Sequence, residues 1–305
     1  MVKIKPITYS RFKGIDNISS TNRIEARHRA SDGRYYTYLP DATNCDIDAQ
    51  YAIKRRAGYS TAVLSGNFKS IWSDGKNIYA VRSGDLVRIV PGSTYSYETL
   101  LPGIGHRNCA FVAIGLNVYF TNELVIGSIK SGVASLLSEV TETYKKTMPA
   151  GHIMEHYKGK LYVAQGRMVF DSDSMVYERL DTRKAFMQFP GRITMIQAVT
   201  DGLYLSYEGK TLFLRGNNKA DFLHEQVALQ HAIEGTAQKG RNLVHEGRTF
   251  DSYVIWLSED GICIGGEGGQ FLNATQDKYG LPGVINGASI IKSGAPEQYI
   301  SVINS

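Results

Sequence analysis

Cysteine is scarce in this chain, with three residues, Cys45, Cys109 and Cys263, widely spaced and odd in number. They make neither a disulfide framework nor a Cys-x-x-Cys metal knuckle, so buried thiols in a reducing cytosol are expected. Proline is sparse too, with 8 residues against 31 glycines and 19 tyrosines. That balance favours strands joined by tight turns, because tyrosine packs well on a pleated surface and glycine supplies positive φ. No apolar run approaches the roughly 20 residues that span a bilayer. The opening Met1-Val2-Lys3-Ile4-Lys5-Pro6 lacks the apolar core and cleavage site of a secretory signal, so a soluble, non-exported chain is expected. With 43% hydrophobic and 21% charged residues, the composition is that of a globular protein and not of a disordered one. A chain of 305 residues can bury a large core without a disulfide or metal staple.

The net charge of +5 sits at one end: residues 1–60 hold eleven Lys and Arg against six Asp and Glu, and the remainder balances. Arg23, Arg27, Arg29, Lys54, Arg55 and Arg56 are the interaction candidates within this excess. Such a segment faces either an acidic partner protein or nucleic acid, or is simply solvated.

From residue 71 onward one pattern recurs: an apolar strand, a Gly turn, a strand bearing an aromatic residue, a second turn and a third strand. Tyr79, Tyr119, Tyr162 and Tyr204 mark the same place in four copies, at spacings of 40, 43 and 42 residues. A period of about 42 residues suits a four-stranded propeller blade. A fifth copy is read at Val254-Ile255-Trp256-Leu257, Asp260-Gly261 and Ile262-Cys263-Ile264, with Cys263 in place of the tyrosine. The expectation is an all-β fold, a β-propeller of five or six four-stranded blades over 43–305, preceded by an extended N-terminal arm over 1–42. The extra length at 217–252 is read as an insertion, with a short helix over Asp221–His231. Closure of the ring is expected to pair Asp46–Tyr59 with the strands near Ala288–Ile291 and Tyr299–Ile303, since open sheet edges invite aggregation.

No constellation points to catalysis, a cofactor, a metal or a small-molecule substrate. His152-Ile153-Met154-Glu155-His156 fits a zinc-peptidase spacing. That chemistry needs a helix, and here the segment opens a strand, placing Glu155 on the face opposite both histidines. Gly265-Gly266-Glu267-Gly268-Gly269 reads as a wide hairpin turn, with no Lys and no following helix to make a phosphate loop. Propeller glycosidases use paired carboxylates at the channel. The corresponding positions are read as Trp72, Ala113, His156, Gln197 and Ile255, which hold no such pair. Asp74, Asp201 and Asp260 precede turn glycines, where Asp has a local role.

Several short segments are similar to a group of virion proteins of tailed bacteriophages. They are Phe12-Lys13-Gly14-Ile15-Asp16-Asn17, Asn44-Cys45-Asp46-Ile47-Asp48 and Ile53-Lys54-Arg55-Arg56-Ala57-Gly58-Tyr59, with Ile233-Glu234-Gly235-Thr236-Ala237 and Trp256-Leu257-Ser258-Glu259-Asp260-Gly261 late in the chain. That group includes β-propeller tail and head-completion proteins, among them nozzle or hub components of short tails. The resemblance implies a non-enzymatic virion component assembled in the host cytoplasm, part of the DNA-ejection conduit. It also implies a cyclic homo-oligomer, commonly sixfold, with other tail or connector proteins as partners and transient, non-specific contact with passing DNA. A glycan- or protein-binding propeller, an adaptor or receptor-binding module, is the alternative.

Overall fold

The computed structural model describes residues 11–24, 26–29, 33–41, 45–47, 52–55, 64–245, 247–275, 278–292 and 297–304. Within the arm, strands β1 (Phe12–Ile15), β2 (His28–Arg29) and β3 (Tyr35–Leu39) form a small sheet in the order β1-β3-β2, with one helical turn, α1 (Thr21–Ile24). The arm is thus more structured than its weak periodicity implies. A hairpin of β4 (Cys45–Ile47) and β5 (Ile53–Arg55) follows as a separate two-stranded sheet.

Five four-stranded antiparallel sheets then succeed one another along the chain. Blade one is β6 (Phe68–Ser73), β7 (Ile78–Arg82), β8 (Asp85–Val90) and β9 (Ser96–Leu101). Blade two is β10 (Ala110–Ile114), β11 (Asn117–Thr121), β12 (Ile126–Lys130) and β13 (Val133–Leu136). Short strands β14 (Lys145–Thr147) and β18 (Arg179–Asp181) pair with each other beside blade three, which is β15 (Ile153–Tyr157), β16 (Lys160–Gln165), β17 (Met168–Asp171) and β19 (Phe186–Gln188). Blade four is β20 (Ile193–Val199), β21 (Gly202–Tyr207), β22 (Lys210–Arg215) and β23 (Leu223–Ala228). Blade five is β24 (Gln238–His245), β25 (Arg248–Ser258), β26 (Gly261–Gly266) and β27 (Phe271–Asn273). A hairpin of β28 (Asn286–Lys292) and β29 (Gln298–Asn304) ends the chain. The first strands β10, β15 and β20 pack in succession, and β20 lies against β24 and β25. This is a β-propeller, with apolar cores between successive blades.

The four tyrosines lie buried on the second strands β7, β11, β16 and β21. Each projects into the layer between blades. Tyr162 packs with Ile193, Ile196, Leu203 and Leu205 of blade four, and Tyr204 with Val254, Trp256 and Cys263 of blade five. Gly265 belongs to this layer: a Cβ there would meet the Tyr204 ring at 2.5 Å, so the close approach needs glycine. Of the glycine-rich run, Gly265 and Gly266 end β26 and only Glu267–Gly269 makes the turn of the β26–β27 hairpin.

Two expectations are corrected. The helix over Asp221–His231 does not form: a single 3-10 turn spans Lys219–Asp221, and Leu223–Ala228 is the outer strand of blade four, bonded to β22. Pairing with an exposed strand edge overrides a weak helical tendency. The supposed insertion is consumed by this strand and by the long β24–β25 hairpin, so Val254–Leu257 lies on the second strand of blade five and not on the first. The β4–β5 and β28–β29 hairpins, expected to share a closing blade, each pair internally and no strand pairing joins them among the described residues; positions 48–51 and 56–59 of the expected closing segment lie outside the described residues.

Candidate functional site: the seam joining the chain ends

Asp16, 1% exposed, directly follows β1. Its Oδ1 accepts hydrogen bonds from the Ile18 and Ser19 amides, at 3.3 and 2.8 Å, and its Oδ2 lies 3.2 Å from Lys278 Nζ. Burial pushes this carboxyl upward, but the Ser19 hydrogen bonds and Lys278 outweigh it and hold the group below its ordinary range. Next to it, Asn17 and Gly280 exchange two bonds: Asn17 Nδ2 donates to Gly280 O at 3.2 Å, and Gly280 N donates to Asn17 Oδ1 at 3.0 Å. The Asn17 amide also donates to Lys278 O, at 2.9 Å.

The bonds continue into blade five. Leu281 N donates to Glu259 O, Ile233 N to Leu257 O, and Leu257 N to Thr236 Oγ1. Tyr299 Oη of the last hairpin donates to Thr236 O at 2.6 Å. Thus Asp16-Asn17, Ile233–Thr236 and Leu257–Glu259, from three of the segments that carry the virion-protein resemblance, meet in one bonded seam. Nothing local in the sequence marks Lys278, Gly280 or Tyr299 as their partners.

A second polar cluster spans the first strands. Glu155, 2% exposed, takes the position opposite Tyr162, as Trp72, Val112 and Gln197 do opposite Tyr79, Tyr119 and Tyr204. The positions read as Ala113 and His156 are therefore corrected to Val112 and Glu155, and Ile255 lies on a second strand, bonded to Gln238 and Ile264. The Glu155 carboxylate accepts from Lys239 Nζ at 2.8 and 2.9 Å, from the His156 amide at 2.8 Å and from the Ala198 amide at 3.3 Å. It ties three successive blades together. His152 Nε2 lies 2.7 Å from Ile193 O, and the His156 ring meets Tyr177 edge-on at 5.5 Å. Burial lowers the His156 pKa, Lys239 adds to that, and Glu155 opposes it. The three residues of the zinc-like spacing thus turn to different partners. Arg192, just before β20, reaches Glu123 between β11 and β12 at 3.1 Å and Glu234 at 3.3 Å, joining blade two, blade four and the approach to blade five.

The basic candidates are placed separately. Arg23 lies on α1, Arg27 just before β2, and Arg29 on β2, all exposed. Lys54 and Arg55 are exposed on β5, and Arg56 lies outside the described residues. Aromatic rings back the β2–β3 surface: His28 stacks on Tyr36 at 5.6 Å, and Lys278 lies over Tyr38 at 4.3 Å. Of the cysteines, Cys109 and Cys263 are buried, and burial pushes the Cys109 thiol up to about 12. No helix among the described residues is long and apolar enough to cross a membrane.

No protein-family model matches the chain, and no curated protein matches it. Solved structures do. An auxiliary nutrient binding protein from Bacteroides thetaiotaomicron aligns at a TM-score of 0.46 and 13% identity, over 68% of this chain and 56% of that one. The Neurospora crassa Pan2 WD40 domain aligns at 0.46 and 10%, over 72% and 68%, and the WD40 β-propeller domain of Doa1 at 0.43 and 10%, over 68% of each. The chain therefore spans little more than half the length of the nutrient binding protein.

Proposed function

We propose that the protein is a structural component of a tailed-phage virion, a tail nozzle, hub or tail-completion protein contributing to the DNA-ejection conduit. The observation that carries this reading is the seam. Segments through which the chain resembles those virion proteins lie more than 200 residues apart in sequence, yet Asp16-Asn17 reaches Lys278-Gly280, which is bonded through Leu281 to Glu259. Motifs that converge on joining the two ends of a ring serve architecture. The inner-strand carboxylate Glu155 is engaged by Lys239, as suits a structural link between blades.

The partners in this reading are further copies of the chain, in a cyclic homo-oligomer with a hexamer favoured, together with other tail or connector proteins. Passing DNA makes transient, non-specific contact. Native mass spectrometry and electron microscopy of purified protein test it. A ring of identical subunits with an axial lumen is expected, and the protein should be found in purified particles. A strictly monomeric protein that is absent from particles overturns the proposal.

A further inference from the structure

Blade three departs from its neighbours between its third and fourth strands. There the chain makes an excursion over 172–185, where the other blades turn within 91–95, 131–132, 216–222 and 267–270. β18 in that excursion pairs with β14 in the link from blade two, in the register Lys145 with Asp181, Lys146 with Leu180 and Thr147 with Arg179. The resulting two-stranded flap packs onto the layer between blades two and three, where Leu180 and Ala185 join Val112, Tyr119, Leu161 and Val163. Where the flap meets the outer strands of blade three, a cavity of about 190 Å³ remains, walled by Pro149, Phe170, Leu180, Ala185 and Phe186. Phe170 and Phe186 are cross-strand partners on β17 and β19, and Phe186 is 46% exposed, so the cavity opens to solvent.

Size and charge narrow the occupant. An apolar cavity of about 150 Å³ accepts one benzene ring, whereas pockets for whole small-molecule ligands start at about 300 Å³. One aromatic ring fits here and a larger ligand does not. Most polar groups at the rim are already engaged. Thr147 Oγ1 donates to Ser138 O at 3.0 Å and accepts from the Val140 amide at 2.9 Å, and Thr182 Oγ1 donates to Tyr144 O at 3.2 Å. The Asp181 carboxylate accepts from Arg183 Nε at 3.0 Å and Nη2 at 2.8 Å, which holds it far below the usual carboxylate range. Lys146, which lines the cavity, and Lys184, next to Ala185, are exposed, and neither side chain bonds another described residue.

We propose that an acidic segment of a partner protein anchors in this cavity, seating one phenylalanine ring against Phe170 and Phe186 and setting its flanking carboxylates against Lys146 and Lys184. Aromatic residues held in pockets supply much of the energy of an interface, and complementary charge around them steers encounter and fixes register. The first ten residues of this chain, with Lys3, Lys5 and no acid, have the wrong sign to be that segment. The site belongs to blade three and its flap, so it is independent of the seam at blade five and of the virion reading.

The probe is the peptide acetyl-Glu-Asp-Phe-Asp-Glu-amide, titrated against the full chain and followed by ligand-observed NMR. Binding should saturate with a Kd below about 1 mM, and replacing the peptide's Phe with Ala should weaken it about tenfold or more. Lys146→Ser with Lys184→Ser alters exposed side chains alone and should weaken binding by a similar factor, most strongly at low salt. Ala185→Leu fills the cavity and should abolish insertion, with thermal unfolding checking that the variant is folded; if it is not, the lysine pair and the Phe-to-Ala comparison decide. Absence of saturable binding, or equal affinity for the Phe and Ala peptides, overturns the proposal. So does binding that the lysine replacements leave unchanged. Self-association of the chain without peptide, lost on those replacements, would assign the cavity to a second copy and overturn it as well.

Discussion

Lys239 reaches from the first strand of blade five to the buried carboxylate of Glu155 on the first strand of blade three, closing at 2.8 and 2.9 Å. The two residues differ sharply in exposure, 45% against 2% at the side chain. Removing the ammonium strands a buried charge that keeps only its two backbone donors. Lys239→Met should therefore destabilise the fold by about 1–3 kcal/mol, below the 3–5 of a fully buried pair because water reaches the lysine. Glu155→Gln in the same background should recover part of that loss. Urea denaturation of the two single variants and the double variant checks this, and additive costs would deny the coupling.

The repeated tyrosines offer a sharper contrast. Tyr204 Oη lies 2.7 Å from Gly266 O and 2.6 Å from Gln270 O, whereas Tyr162 Oη is buried without a hydrogen-bond partner among the described residues. The same substitution at equivalent positions should thus behave differently. Tyr204→Phe takes a donor from the buried Gly266 carbonyl, while Gln270 O keeps the Gly266 amide, and should cost about 1–3 kcal/mol. Tyr162→Phe removes an unsatisfied hydroxyl and should be neutral or stabilising. Thermal unfolding of the two variants decides it; equal losses would show that ring packing alone matters at both sites.

Those tyrosines were legible because the blade signal is local: alternation, a turn, alternation again. Blade five shows where locality fails. At Asp74-Gly75 and Asp201-Gly202 the Asp-Gly turn joins a first strand to a second, but Asp260-Gly261 joins a second strand to a third. The turn chemistry is the same in each, so the register shifts by one strand unless the preceding β24 is recognised. His152, Glu155 and His156 could be read as strand residues, since the alternation of a strand separates them. The pairing of Glu155 with Lys239, or of Asp16 with Lys278, could not, because single residues far apart in one sequence carry no mark of proximity.

Acid should loosen the arm before the blades. The Asp16 carboxyl is held below its ordinary value, so its contribution is present above the unfolded pKa of about 3.9 and is lost as pH falls through the lower folded value. Limited proteolysis within residues 11–41 should accelerate below about pH 4 while strand circular dichroism persists. Asp16→Ala should reproduce that sensitivity at neutral pH, at a cost of about 2 kcal/mol in arm docking. An arm equally resistant in the variant would mean that Asn17 and Gly280 suffice to hold it.

The exposed arginines of the arm decide between two partners. Arg23, Arg27 and Arg29 lie at the surface of the β1–β3 module, which the seam fixes to the far end of the chain. Arginine pairs bidentately with carboxylates on a neighbouring subunit, and it also binds phosphates. Non-specific duplex binding weakens steeply with salt, by a slope near the number of phosphates neutralised, whereas assembly anchored by apolar burial is less sensitive. A conduit through which DNA must slide has reason to avoid tight contacts, which favours assembly. Replacing Arg23, Arg27 and Arg29 with Ser should therefore weaken oligomerisation at all salt concentrations and change duplex affinity little. An intact oligomer with collapsed DNA affinity would reverse that assignment and make the arm a nucleic-acid surface.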